Sequence, residues 1–302
     1  MMKPIPLSWS LAAVLVSVFV APAQAEIKVV DDDGNTVVLA KPAQRVVALA
    51  PHLTEMMFAV GAGDKLVGRV SHSDYPAEAN AIPLVGDNLH IDMERLIALK
   101  PDLLVVWLHG SAGPQLEALR KLGIPLFYSE PHTLEQIEDT LLRLGQLAGT
   151  ETRARQVADG MRSDLRKLQQ QYAGKPTVRV FYQVWDKPLY TLNGKHFVSD
   201  VLRLCGGENI FASLTTTAPV VNIEAVLQEN PEAVISGDMR PHSESGLMLW
   251  HQYPGLLASQ RGNLFAIEPD SMVRPGPRIV AGAKAVCEDL DLARQRRPLK
   301  KQ

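Results

Sequence analysis

From residue 44 onward, short, mostly apolar runs without regular polar alternation are separated by stretches that read as helices. In the first half the runs are Val46–Leu49, Leu66–Val70, Leu103–Trp107 and Pro125–Tyr128. In the second they are Thr177–Val184, Ala233–Ile235 and Leu264–Ile267. A strand without polar alternation is buried on both faces, as in a parallel sheet covered by helices. Helices are predicted between the runs, with their stops legible as Gly or Pro. Thr54–Val60 ends at Gly61 and Gly63, and Met93–Leu99 ends at Lys100-Pro101. Pro114–Leu122 ends at Gly123, Ser199–Leu204 at Gly206-Gly207, and Ile223–Glu229 before Pro231. Ile279–Leu290 closes the pattern as an Ala-rich helix. Ahead of all this, residues 26–39 place two β-branched runs around Asp-Gly-Asn, which predicts a hairpin.

The stretch from about Thr133 to Tyr172 differs. It is mostly helical, breaks near Gly149-Thr150, and resumes as a polar segment with a thin apolar stripe. A solvated helix between two α/β halves reads as a connecting strut. The expected architecture is α/β: two parallel-sheet, Rossmann-like lobes joined by a single long helix. The N-terminal lobe with its hairpin takes residues 26–143, the connecting helix 144–174 and the C-terminal lobe 175–302.

The first 25 residues read differently. Lys3 gives a positive start, Leu11–Val20 is apolar, and Ala23-Gln24-Ala25 is a small-x-small cleavage site. This predicts a secretory signal peptide, cleaved after Ala25, and export to the periplasm. It contains no cysteine for lipid attachment. Export alters how Cys205 and Cys287 read: in an oxidising compartment an even cysteine count favours a bridge over two buried thiols. Both fall in the second lobe, where a bridge would pin its last helix.

Composition removes several classes. The chain has 302 residues, 46% of them hydrophobic, and a formal charge of −2. That excludes a disordered chain. A sequence pI near 6.5 excludes a basic nucleic-acid binder, whose domain pI usually exceeds ~9. No Gly-x-Ser-x-Gly elbow, phosphate-binding Gly-x-x-x-x-Gly-Lys loop or His-Glu-x-x-His helix is present.

Ligands of open parallel sheets bind beyond the carboxyl ends of the strands. Those positions hold Pro51-His52, the SHSDYP segment with Tyr75, Trp107 with His109, and Glu130–His132. In the second lobe they hold Trp185 and the segment Asp270–Arg278, beginning Asp270, Ser271, Met272, Val273, Arg274. Aromatic walls with a few polar groups suit a large, partly apolar small molecule. The histidines His52, His72, His90, His109 and His132 all fall in expected first-lobe loops, but their spacing matches no compact metal motif. That makes an exported metal-dependent hydrolase the remote alternative. Glu94 and Glu224 occupy equivalent places, early in a short helix that leads through Pro into a buried strand. They read either as ordinary first-turn acids favoured by the helix dipole or as one anionic knob per lobe for a pseudo-symmetric partner.

In order and spacing, residues 44–292 resemble the periplasmic substrate-binding proteins of ABC importers for vitamin B12, haem and ferric siderophores. The resemblance lies in RVVALAPHLTEMMFAVGAGDKLVG (45–68), SHSDYP (71–76), MERLIALKPDLLVVW (93–107), VLRLCGGENIF (201–211), VLQENPEAVI (226–235) and RPGPRI (274–279). SDYP, the Trp ending LLVVW, the paired cysteines and the D-x-x-x-R-x-x-PR segment are most similar to the cobalamin-binding branch. At Asn88 and Ala218, where some cobalamin binders carry aromatic residues, this chain does not. The resemblance implies the two-lobe fold, a bound corrinoid and no catalysis. It implies contact from Tyr75 and from Asp270 to Arg274, with Trp107 walling the cleft, and a Cys205–Cys287 disulfide. It also implies a monomer whose Glu94 and Glu224 meet arginine pockets on the two permease subunits. Haem or a ferric siderophore is the alternative ligand.

Overall fold

The computed structural model describes residues 26–87, 89–110, 113–237 and 246–298. The expected leader and Asn88 lie outside them.

Strands β1 (Ile27–Val30) and β2 (Thr36–Leu39) form the predicted antiparallel hairpin. One face is covered, so its residues alternate: Val37 and Leu39 are buried and Val38 is exposed. Asp31 holds the turn, its Oδ1 accepting from the backbone of Asp33 at 3.0 Å and Asn35 at 2.8 Å.

The N-terminal lobe follows as β3 (Val46–Ala48), α1 (Pro51–Ala59), β4 (Leu66–Arg69), α2 (Met93–Ala98), β5 (Leu103–Trp107), α3 (Gly113–Arg120) and β6 (Leu126–Ser129). Its sheet runs β4-β3-β5-β6, every pair parallel. Val46–Ala48 and Leu103–Val106 are fully buried, as unbroken apolar strands require.

Helix α4 (Leu134–Ala148) starts at a capping box, Thr133 with Gln136, and stops at Gly149, whose φ of +68° costs a glycine little. Helix α5 (Glu151–Tyr172) then runs for about 33 Å at 1.5 Å per residue. Ala154, Ala158, Met161, Leu165 and Tyr172 form its buried stripe, against α4 and two helices of the second lobe.

The C-terminal lobe contains β7 (Val178–Gln183), β8 (Trp185–Asp186), β9 (Leu189–Tyr190), α6 (Phe197–Leu204), β10 (Gly207–Asn209), α7 (Ile223–Glu229), β11 (Ala233–Ser236), α8 (Leu257–Gln260), β12 (Leu264–Ala266), α9 (Asp270–Val273) and α10 (Ile279–Gln295). Its sheet runs β10-β7-β11-β12, again all parallel. Counted within each lobe, both sheets read 2-1-3-4. Cys205, just after α6, and Cys287 in α10 form a disulfide.

Two helix starts lie two or more residues from expectation. Helix α1 begins at Pro51, not Thr54, because proline is well suited to a first helical position and lacks only an N–H that would be unpaired there. His52 therefore stands in a helix turn, not a loop. Helix α6 begins at Phe197, not Ser199, with the His196 ring nitrogen accepting from the backbone of Val198. The β8–β9 hairpin and β10 are too short to leave a periodic signal.

Candidate functional site

The carboxyl ends of both sheets open onto one interlobe cavity of about 450 Å³. Helix α1 contributes Pro51 and His52 from its first turn, and Trp107 comes from the end of β5. Glu130, Pro131 and His132 follow β6. Facing them are His196 and Phe197 at the start of α6, and Asp270, Val273 and Arg274 of α9 and its C-cap.

Trp107 is 37% exposed and meets His52 edge-on, their ring centroids 5.8 Å apart. His52 is buried, and among the described residues its Nε2 has no hydrogen-bond partner. Burial, with the Arg274 charge second, pushes its pKa down to about 3, so it is a neutral imidazole at ordinary pH. Burial and then nearby His132 lower His196 to about 4.

Two residues lining this cavity, Asp270 and Arg274, belong to a charged cluster. Arg274 donates from Nη1 to Glu55 at 2.8 Å and to Asp74 at 3.2 Å, and its Nη2 lies 3.0 Å from Asp270. Arg278 grips Glu55 with two nitrogens and lies over the Tyr75 ring, 4.3 Å from its centroid. Beyond the cluster is a second cavity, about 560 Å³, lined by Tyr75, Pro76, Phe58, Glu55 and Arg278.

The first cavity thus gathers Pro51, His52, Trp107, Asp270, Val273 and Arg274. Tyr75, half exposed, lines the second. Trp185 lines neither; it sits in the β8–β9 hairpin, its indole N–H donating to the Lys187 carbonyl at 3.2 Å. Within the expected segment, the Ser271 and Met272 side chains are buried and are not part of this cavity's lining. Met272 is fully buried beneath α10, and the Ser271 hydroxyl donates to the Glu268 carbonyl. A four-residue helix exposes only part of its circumference, so Asp270 and Val273 line the cleft while the two between them turn inward.

Sequence reasoning missed Glu55, His196 and Phe197. Glu55 was hidden by the late helix start. Read from Pro51, the sequence puts Glu55 four residues beyond, on the same helix face as the cleft-lining Pro51.

Glu94 and Glu224 occupy matching frames. Asp92 caps α2 by accepting from the backbone of Arg95, and Asn222 caps α7 by accepting from Ala225. Each acid is exposed in the first turn, two residues before a fully buried apolar residue, Leu96 or Val226. Each helix leads to a residue at φ +46°, Lys100 or Asn230, and then to Pro101 or Pro231. An arginine grips the last helical carbonyls in both: Arg45 donates to Leu99, and Arg179 to Glu229.

The model of the family described as periplasmic binding protein matches residues 46–270. The chain belongs to that family. Its members bind solutes and are not catalysts. The vitamin B12-binding protein of Vibrio parahaemolyticus is 36% identical over 258 residues, covering 85% of this chain and 93% of that one. The vitamin B12-binding protein of Yersinia pestis is 34% identical over 285 residues, 94% of each chain. The crystal structure of periplasmic vitamin B12-binding protein BtuF of Vibrio cholerae superposes with a TM-score of 0.76 at 34% identity. It covers 84% of this chain and 99% of that one. Two parallel four-stranded sheets and a long linking helix are shared with that class of binding protein.

Proposed function

We propose that this chain captures cobalamin, or a closely related corrinoid, in the interlobe cleft and delivers it to an inner-membrane ABC importer. The observation that carries the reading is the coincidence of the cleft with the relatives. A tryptophan-walled cavity with a neutral imidazole and fixed polar groups lies between two lobes whose relatives are vitamin B12-binding proteins. Affinity comes from burying corrin surface, at roughly 25 cal/mol per Å² of apolar area, less the cost of ordering the partners. Trp107 supplies surface, while Asp270 and Arg274 address polar substituents. Tyr75 and Trp185 complete the aromatic set, Tyr75 from the second cavity and Trp185 from the β8–β9 hairpin. Residues 1–25 are removed after Ala25, and the mature chain acts as a monomer in the periplasm. Its extents are a lobe at 26–143, a connecting segment at 144–174 that takes in the end of α4 and all of α5, and a lobe at 175–302. Glu94 and Glu224 meet one permease subunit each.

Calorimetry of the mature chain with cyanocobalamin and, separately, haem tests the ligand. The expected result is one-to-one heat with the corrinoid and none with haem. Silence with cyanocobalamin at tens of micromolar, together with a Soret shift on adding haem, would transfer the site to the other ligand class.

A further inference from the structure

Glu55 belongs to the N-terminal lobe, yet its hydrogen bonds come from the C-terminal one. Arg274 donates from Nη1 to Oε1 at 2.8 Å. Arg278 donates from Nε to Oε2 at 2.9 Å and from Nη2 to Oε1 at 2.7 Å. The latter is a two-pronged guanidinium–carboxylate contact, which fixes direction as well as distance. Glu55 is 4% exposed. A carboxylate so buried is tolerable as an anion only because it is paired and hydrogen-bonded. The other ion-pair partners of these arginines, Asp74 and Asp270, stand nearer solvent, where an ion pair holds geometry weakly. The same carboxylate lines the second cavity together with Arg278, and it is bonded to Arg274, which lines the first.

We propose that Glu55 is a positioning residue that also sets ligand charge preference. Across the lobe boundary it fixes the two guanidinium groups that offer N–H donors to the ligand, and so holds the lobe spacing before a ligand arrives. Donors already oriented do not consume binding free energy in being ordered. Its negative charge also offsets the guanidinium charges, so the cleft favours neutral carboxamide substituents, which accept hydrogen bonds, over carboxylates, which add charge. The charge preference rests on the corrinoid reading above; the lobe spacing rests on the interlobe ion pairs alone.

The test compares wild type, Glu55→Gln and Glu55→Asp as mature, disulfide-bonded chains. Two ligands are titrated: cyanocobalamin, and its monocarboxylic acid with one side-chain amide hydrolysed. Spin labels placed by non-cysteine chemistry at exposed Lys121 and Gln228 report the interlobe distance without ligand. For Glu55→Gln the expected results are at least a tenfold loss for cyanocobalamin and a smaller loss for the acid. The distance distribution should broaden. Glu55→Asp should restore the wild-type ligand ratio and part of the affinity. Wild-type affinity, ratio and distance in a folded Glu55→Gln protein would overturn the proposal. So would an equal loss for both ligands with an unchanged distance, which marks a merely structural residue. Should Glu55→Gln not fold, Arg278→Lys keeps the charge but removes the two-pronged contact; it should broaden the distance and leave the ratio unchanged, and a wild-type distance sinks the strut. If wild type gives no heat with cyanocobalamin, the corrinoid reading fails while the distance measurement still decides the lobe spacing.

Discussion

The Trp107 ring stands edge-on to the His52 ring, the planes 88° apart and the centroids separated by 5.8 Å. The histidine is buried, and it backs an indole that is about a third exposed and lines the cleft. We predict that Trp107→Ala weakens cobalamin binding by tenfold or more, about 1.4 kcal/mol or above, with little change in melting temperature. Trp107→Phe should lose less. Titration by intrinsic fluorescence and calorimetry checks this; an alanine variant that binds like wild type would remove Trp107 from the site.

Acid should destabilise the protein through its buried histidines. His52 and His196 have folded pKa values lowered to about 3 and about 4 from 6.5, both chiefly by burial. The unfolded chain therefore binds more protons below pH 6.5, and stability present above that value is lost as pH falls toward 4. For each of the two the loss at pH 5 is about 2 kcal/mol, and they part only below pH 4. Asp289 works in the opposite sense. Burial, aided by Glu288, raises it to about 6, so its contribution is lost as pH rises through 6. Thermal melts from pH 8 to pH 4 should fall below pH 6.5. Asp289→Asn should raise the melting temperature at pH 7.5, and a flat profile for wild type would contradict the histidine assignment.

Gly282 of α10 controls the cleft from behind. A Cβ there would lie 2.7 Å from the sulfur of Met272 and 2.7 Å from the Ser271 carbonyl oxygen, both in α9. The carbonyl is backbone and cannot swing aside, so α9 must shift, carrying Asp270 and Arg274 with it. Gly282→Ala is expected to weaken ligand binding several-fold although residue 282 touches no ligand. Calorimetry beside a melting curve distinguishes this from general unfolding; wild-type affinity would show that α9 absorbs the methyl group in place.

Glu94 and Glu224 should separate binding from delivery. Neither lines the cleft cavities. Glu94→Ala, Glu224→Ala and the double variant are expected to keep cobalamin affinity within twofold and to reduce uptake, most in the double variant. Uptake assays in cells lacking the native carrier provide the readout. Parallel loss of binding and uptake would place these acids in the fold instead.

The strands and most helices were legible because burial on both faces writes itself into sequence as unbroken apolar runs, as in Leu103–Val106. The cleft side chains were legible where a residue ends a strand, as Trp107 does. Glu55 was not: the late helix start hid the face it shares with Pro51, and its burial is explained by Arg274 and Arg278 arriving from more than 200 residues away. Ser271 and Met272 turn inward between Asp270 and Val273 because contiguity in sequence does not make neighbours share a face.

The repeated frame around α2 and α7 carries one more consequence. A receptor with its own two-fold axis would meet nearly the same surface after the carrier is rotated by half a turn. The two acids alone therefore cannot tell it which lobe is which. Polarity must be read from the neighbours that break the match. Arg95 faces one side where Ala225 faces the other, and exposed Ile97 is answered by the more sheltered Leu227. Under the proposed docking, the orientation in which cargo is handed over would rest on these mismatched pairs, with the acids serving both registers alike.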